Sequence, residues 1–153
     1  MVSRQQKALR FKSTPDFLDG TILTEPYEIM VFGSNTEGIH KSGSAKTAMD
    51  HFGAKFGVPM GLQGRSYAII TKDFYEYSRG GLMYKKNMLA LISSQVFTLY
   101  KFAQFRPDLH FYVTKVGTGL AGFQLTEIDQ LFAKWESPRN VILPKDFYAA
   151  KHV

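Results

Sequence analysis

The sequence predicts a single α/β domain, a mixed or largely parallel sheet flanked by helices in three layers. Three observations predict it. Apolar runs of strand length alternate with segments of helical period, which is the pattern of a layered α/β domain. The chain has 153 residues, 44% of them hydrophobic and 21% charged, enough for one core of ordinary composition. Two glycine-rich loops follow strand-like runs, and in open α/β sheets ligands bind beyond the carboxyl ends of the strands.

The elements follow in order. Residues 1–26 are polar and punctuated by Pro15, Gly20 and Pro26, and read as an arm ahead of a domain over 27–153. Tyr27–Gly33 turns nearly all apolar at its end, as suits a strand covered on both faces. A loop of small polar residues runs to Ser44, and Ala45, Ala48, Met49, Phe52 and Phe56 then share one helical face, with Gly57 placed to end it. Residues 57–64 read as loop and Ser66–Thr71 as a second buried strand. Residues 72–86 read as a long surface connection. The strongest helix starts near Asn87, where Leu89, Ile92, Val96, Leu99 and Ala103 trace a stripe that Arg106-Pro107-Asp108 closes. His110–Val116 is a third strand, Thr126 and Asp129 resemble a helix-opening cap, and Asn140–Pro144 is a short last strand.

Charge and composition exclude several functions. The chain carries 19 basic and 13 acidic residues, a net +6, and Arg4, Lys7, Arg10 and Lys12 supply +4 of it with no acid among them. Such an arm is either solvated or able to touch nucleic acid. The absence of cysteine excludes disulfides, thiolate metal sites and a cysteine nucleophile. The four histidines are scattered without metal-ligand spacing, so neither a metal nor a cofactor is expected. No apolar run is long enough for a membrane span and no secretion signal opens the chain, which leads to the expectation of a cytoplasmic protein with no membrane partner.

The chemistry concentrates in the two loops. The first runs from Gly33, Ser34 and Asn35 through Gly38, His40 and Lys41 to Gly43, Ser44 and Ala45. The second is Gly117-Thr118-Gly119-Leu120-Ala121-Gly122-Phe123. Glycines bring backbone N–H groups close to an anion, and a following helix N-terminus favours negative charge. Two such loops can hold a diphosphate between them. Neither ends in Gly-Lys-Ser/Thr, so neither is a Walker A loop. Thr71, Lys72 and Asp73 end the second strand on the same presumed side, and Lys41 and Lys46 are candidate phosphate partners. Asn35, His40 and Asp73 are the candidate catalytic groups: an amide to fix a water or ribose hydroxyl, an imidazole of suitable pKa, and a carboxylate. Each has a plainer reading, as an Asx-turn residue, a polar loop residue and a turn former. Phe74-Tyr75-Glu76-Tyr77 could stack an adenine or cover a cleft. No Gly-x-Ser-x-Gly elbow supports a serine nucleophile.

Taken in order, Ser42-Gly43-Ser44-Ala45 through Phe52-Gly53, Tyr67–Lys72, Asn87-Met88-Leu89 and Lys115–Gly122 resemble a macrodomain, nearest to the terminal ADP-ribose glycohydrolase type. The resemblance spans roughly residues 27–147. It implies a six-stranded mixed sheet binding ADP-ribose or a related nucleotide, free or attached to a macromolecule. It places Asn35 at the distal ribose, Gly43, Ser44 and Ala45 at phosphates, Gly117–Ala121 on the opposite wall, and Phe123 over the ribose. Two departures bear on activity. The branch's catalytic aspartate position is Ala121, and its nucleophilic lysine falls where this chain has Gly61-Leu62-Gln63-Gly64-Arg65. Hydrolysis of an ADP-ribosyl or phosphate bond would therefore rest on Asn35, His40 and Asp73. The competing functions are nucleic-acid binding through the basic arm and a non-catalytic interaction domain.

Overall fold

The computed structural model describes residues 7–16, 22–73 and 81–147. Among the described residues eight elements follow one another: β1 (Glu28–Asn35), α1 (Gly43–His51), β2 (Gly61–Gln63), β3 (Ser66–Lys72), α2 (Gly81–Phe105), β4 (His110–Val113), α3 (Leu125–Ala133) and β5 (Val141–Ile142). The sheet order is β2-β3-β1-β4-β5. β3, β1, β4 and β5 are parallel, and β2 runs antiparallel on the outer edge of β3. The described residues thus form a mixed sheet of five strands, where the resemblance implied six.

Strand alternation divides the core in two. Ile29 and Val31 of β1, Tyr67 and Ile69 of β3, and Phe111 and Val113 of β4 pack on one face with Ile92, Val96 and Leu99 of α2 and Ile128 and Phe132 of α3. Met30, Phe32, Ala68 and Tyr112 point to the other face, against Ala45 and Ala48 of α1 and Phe52 just beyond it. Successive strand side chains face opposite ways, so nearly all-apolar strands require a helix layer on each side. The three-layer α/β expectation holds. No helix among the described residues is long and apolar enough to cross a membrane.

Several boundaries differ from the sequence reading. The first helix stops at His51: the Phe52 N–H bonds to Ala48 O, and Gly53 turns the chain at φ +75°, ahead of Gly57. Residues 61–63, read as loop, form β2, too short for any periodicity to register. The long helix starts at Gly81, within the stretch read as a surface connection. The third strand ends at Val113, not Val116. α3 is opened by Gln124 and Glu127, with Gln124 N–H donating to Glu127 Oε1 at 2.9 Å, and not by Thr126 and Asp129. Beyond β2, the outer edge of β3 is completed by a side chain. Gln95 of α2 accepts from Ile70 N–H at 2.7 Å and donates to Ile70 O at 2.8 Å, serving both backbone groups where no strand among the described residues pairs with them.

Residues 7–16 lie on the sheet rather than projecting from it. Phe11 packs edge-on against Tyr112, with 5.8 Å between ring centroids. Thr14 bonds Leu143 O through its N–H and Ile142 O through its hydroxyl, both at 3.0 Å. Arg10 is taken up by fully buried Glu28, with its Nε 2.8 Å from Oε2 and its Nη2 on Oε1. The arm's basic count therefore overstates what it offers to nucleic acid.

This pairing sets an acid sensitivity. Burial pushes the Glu28 carboxyl upward, but the Arg10 guanidinium and the Glu25 N–H outweigh it and hold the group below its ordinary 4.5. Burial holds the His110 imidazole below its ordinary 6.5. As pH falls below 6.5, the unfolded chain binds a proton that folded His110 refuses, so stability declines. The Glu28 contribution is whole above 4.5 and is lost as pH falls through the lowered folded value. Urea unfolding should show stability falling in two stages on acidification, and Glu28→Gln should diminish the lower stage, to which Glu127, held below 4.5 by Lys85, also contributes. A flat profile between pH 7 and 3 would contradict both assignments.

Candidate functional site

β1 sits at the centre of the sheet. The chain leaves β1 toward β3 on one side and leaves β4 toward β5 on the other, so a crevice opens between the carboxyl ends of these neighbours. A cleft of about 580 Å³ occupies that position, within the range of small-molecule sites. Both glycine loops line it: Gly33, Ser34, Asn35, Gly43, Ser44 and Ala45 from the first, and Gly117, Gly119, Leu120 and Ala121 from the second. Lys72 lines it from the end of β3.

The loops meet at the cleft floor because glycine occupies the contact. A Cβ on Gly33 would lie 3.4 Å from Gly117 N and 3.2 Å from Thr71 Oγ1. Gly117 takes φ +78°, and a Cβ there would meet Ile128 and Phe123 at 3.1 and 3.3 Å. The strand ends beneath are fastened by threonines: Thr71 Oγ1 donates to Ser34 O at 3.1 Å and Thr114 Oγ1 to Val31 O at 2.7 Å.

The first loop is held by its own asparagine. Asn35 Oδ1 accepts from Glu37 N–H at 3.2 Å and Ile39 N–H at 3.0 Å, while Nδ2 donates to Ile39 O at 2.8 Å. Asn35 borders the cleft, but its amide is engaged in the turn. His40 lies away from the cleft lining. It is fully buried, edge-on to Phe32, with Nε2 3.1 Å from Lys55 O. Gly38 seats the loop on the chain after α1, where Gly57 N–H reaches Gly38 O at 2.9 Å.

Asp73 also stands outside the lining, its N–H directed to the Tyr84 hydroxyl at 3.2 Å. Thr71 is buried under the floor. Thr118 turns its hydroxyl to Lys115 O at 2.7 Å, and Gly122 closes the loop by donating to Gly119 O at 3.0 Å. Phe123, placed over a ribose by the resemblance, is instead buried in the core. The Phe74–Tyr77 segment lies outside the described residues.

The cleft also gathers residues that the sequence did not place in it. Ile39, Ser42, Lys115 and Val116 line it, as does Lys41, weighed in the sequence only as a possible phosphate partner. Lys41, Lys72 and Lys115 therefore converge there, and no carboxylate is among the lining residues. Lys46 is instead engaged with Asp50 one turn along α1. The amino end of α1 faces the same space. Ser42 is its N-cap with extended backbone, makes no side-chain cap hydrogen bond, and no acid occupies the first turn. The first amides of a helix have no intrahelical acceptor. Cations, glycine-loop amides and a helix amino end make a site suited to a phosphate-bearing anion. No family model matches this chain, and no curated protein or solved structure matches it either.

Proposed function

We propose that this chain is a macrodomain-like module that binds ADP-ribose or a related nucleotide, free or attached to a macromolecule, through its diphosphate. One observation carries the reading: two glycine loops from distant parts of the chain close on one cleft whose titratable lining side chains are all lysines. A pyrophosphate fits between such walls, taking backbone N–H groups from each and charge from the lysines. Leu120, at 78% exposure, and Ile39 add apolar surface to the lining, suited to the less polar faces of a ribose or base.

The geometry favours binding over hydrolysis. Asn35 is engaged in its turn, His40 is buried against Phe32, and Asp73 is outside the lining. With Ala121 at the branch's aspartate position, the described lining offers no carboxylate or imidazole to move a proton to or from a ribosyl bond.

Calorimetric titration with ADP-ribose tests the reading, with ADP and ribose 5-phosphate as comparisons. Gly119→Val supplies the site control. A Cβ on Gly119 would meet no atom within 4 Å, and the residue lies outside the left-handed region, so the larger side chain is tolerated while it takes up cleft space. The variant should fold like the parent and bind ADP-ribose at least about tenfold more weakly. Absence of binding by the parent at millimolar ADP-ribose would refute the proposal.

A further inference from the structure

Lys115 is a cleft cation that already has an anionic partner. Its Nζ lies 2.6 Å from Asp146 Oδ2, with the two side chains 44% and 42% exposed. The Asp146 hydrogen bond raises the Lys115 ammonium above its ordinary 10.5 against a lesser opposing effect of burial, and Asp16 adds to the rise. Lys115 therefore stays charged at neutral pH.

Both backbones of the pair are fixed. Phe147 N–H closes a turn on Pro144 O at 3.0 Å, and the Phe147 ring is fully buried beside Phe132, 5.4 Å between centroids. Asp146 sits inside that turn. On the other side, Thr114 ties the chain to β1 and the Thr118 hydroxyl holds Lys115 O at 2.7 Å. The long lysine stem is the adjustable part, and its ammonium is within reach of both the carboxylate and the cleft it lines.

Resting on the binding reading above, we propose that Asp146 is an internal competitor of the anionic ligand, withholding Lys115 until a sufficiently charged phosphate group draws it away. A ligand that offers Lys115 no more than Asp146 already supplies leaves the ion pair in place. A pyrophosphate, with more oxygens to accept from the ammonium, draws it away. Asp146 thus lowers affinity most for the ligand that takes Lys115 from it, because that ligand bears the loss of the ion pair.

Calorimetry with ADP-ribose and with AMP on the parent, Asp146→Asn, Lys115→Gln and the double variant tests this. A partly exposed ion pair has a small coupling energy, so Asp146→Asn should bind ADP-ribose about three- to fivefold more tightly, the gain shrinking in high salt. AMP should gain by no larger a factor than ADP-ribose, since a ligand recovers the loss of the ion pair only to the extent that it draws Lys115 away; a larger gain for AMP would overturn the exchange. In the Lys115→Gln background, Asp146→Asn should change affinity little. Equal gains with and without Lys115 would show a diffuse field effect and overturn the proposal. So would unchanged or weaker binding by Asp146→Asn when the parent binds, leaving the binding reading intact. If neither the parent nor Asp146→Asn binds either nucleotide, the binding reading itself fails.

Discussion

Gly38→Ala should destabilise the fold by about 3–5 kcal/mol, the sum of a left-handed backbone cost and a backbone clash. Gly38 takes φ +67°, which any residue with a Cβ adopts at a cost. The added Cβ would lie 2.6 Å from Val58 N and 2.7 Å from the carbonyl carbon of Gly57. These are backbone atoms, and the Gly57 N–H is the donor that closes this loop on Gly38 O, so relief means breaking that bond. Gly43→Ala is the matched control. Its φ is +60°, yet nothing lies within 4 Å of the added Cβ, so only the backbone cost of about 1–2 kcal/mol applies. Urea unfolding of the two variants side by side checks the difference. A Gly38 variant no less stable than its Gly43 counterpart would remove the packing role assigned to this loop.

Ser44→Glu should separate binding from stability in opposite directions. Ser44 occupies the first turn of α1, where no acid is present and the Ser42 side chain provides no cap bond. A carboxylate there interacts favourably with the helix amino end, worth about 0.3–1 kcal/mol, so the thermal midpoint should hold or rise. The same carboxylate would stand in the lining of the cleft and repel an anion at the point where a phosphate would sit. ADP-ribose affinity should fall about tenfold or more, equivalent to at least about 1.4 kcal/mol. Lowered affinity in a more stable protein cannot be ascribed to unfolding. Undiminished affinity would mean that the amino end of α1 does not face the ligand.

The unequal fates of the candidate residues have a common physical origin. Gly33, Gly43, Gly117 and Gly119 were legible because a glycine cluster after an apolar strand reports a local backbone requirement. Asn35, His40 and Phe123 were not. Each carries chemistry suited to a site, but its partner decides whether that chemistry is used. Asn35 is engaged by Ile39, His40 lies near Lys55 O and against Phe32, and Phe123 is in the core. Lys115 shows the reverse. Read as an interior residue of a strand running to Val116, it emerged as a cleft cation because the strand ends at Val113.

By itself, the sequence determined the α/β class, the alternation of strand and helix, and the position of two glycine loops at strand ends. Each of these is a property of one contiguous segment, in which apolar period and glycine content register directly. Only the tertiary structure decided that β2 pairs with β3, that Gln95 completes the edge of β3, that Arg10 is taken up by Glu28, and that three lysines share one cleft. Those outcomes depend on which distant groups the fold brings within hydrogen-bond or Coulomb range, and no periodicity along a single segment encodes that distance.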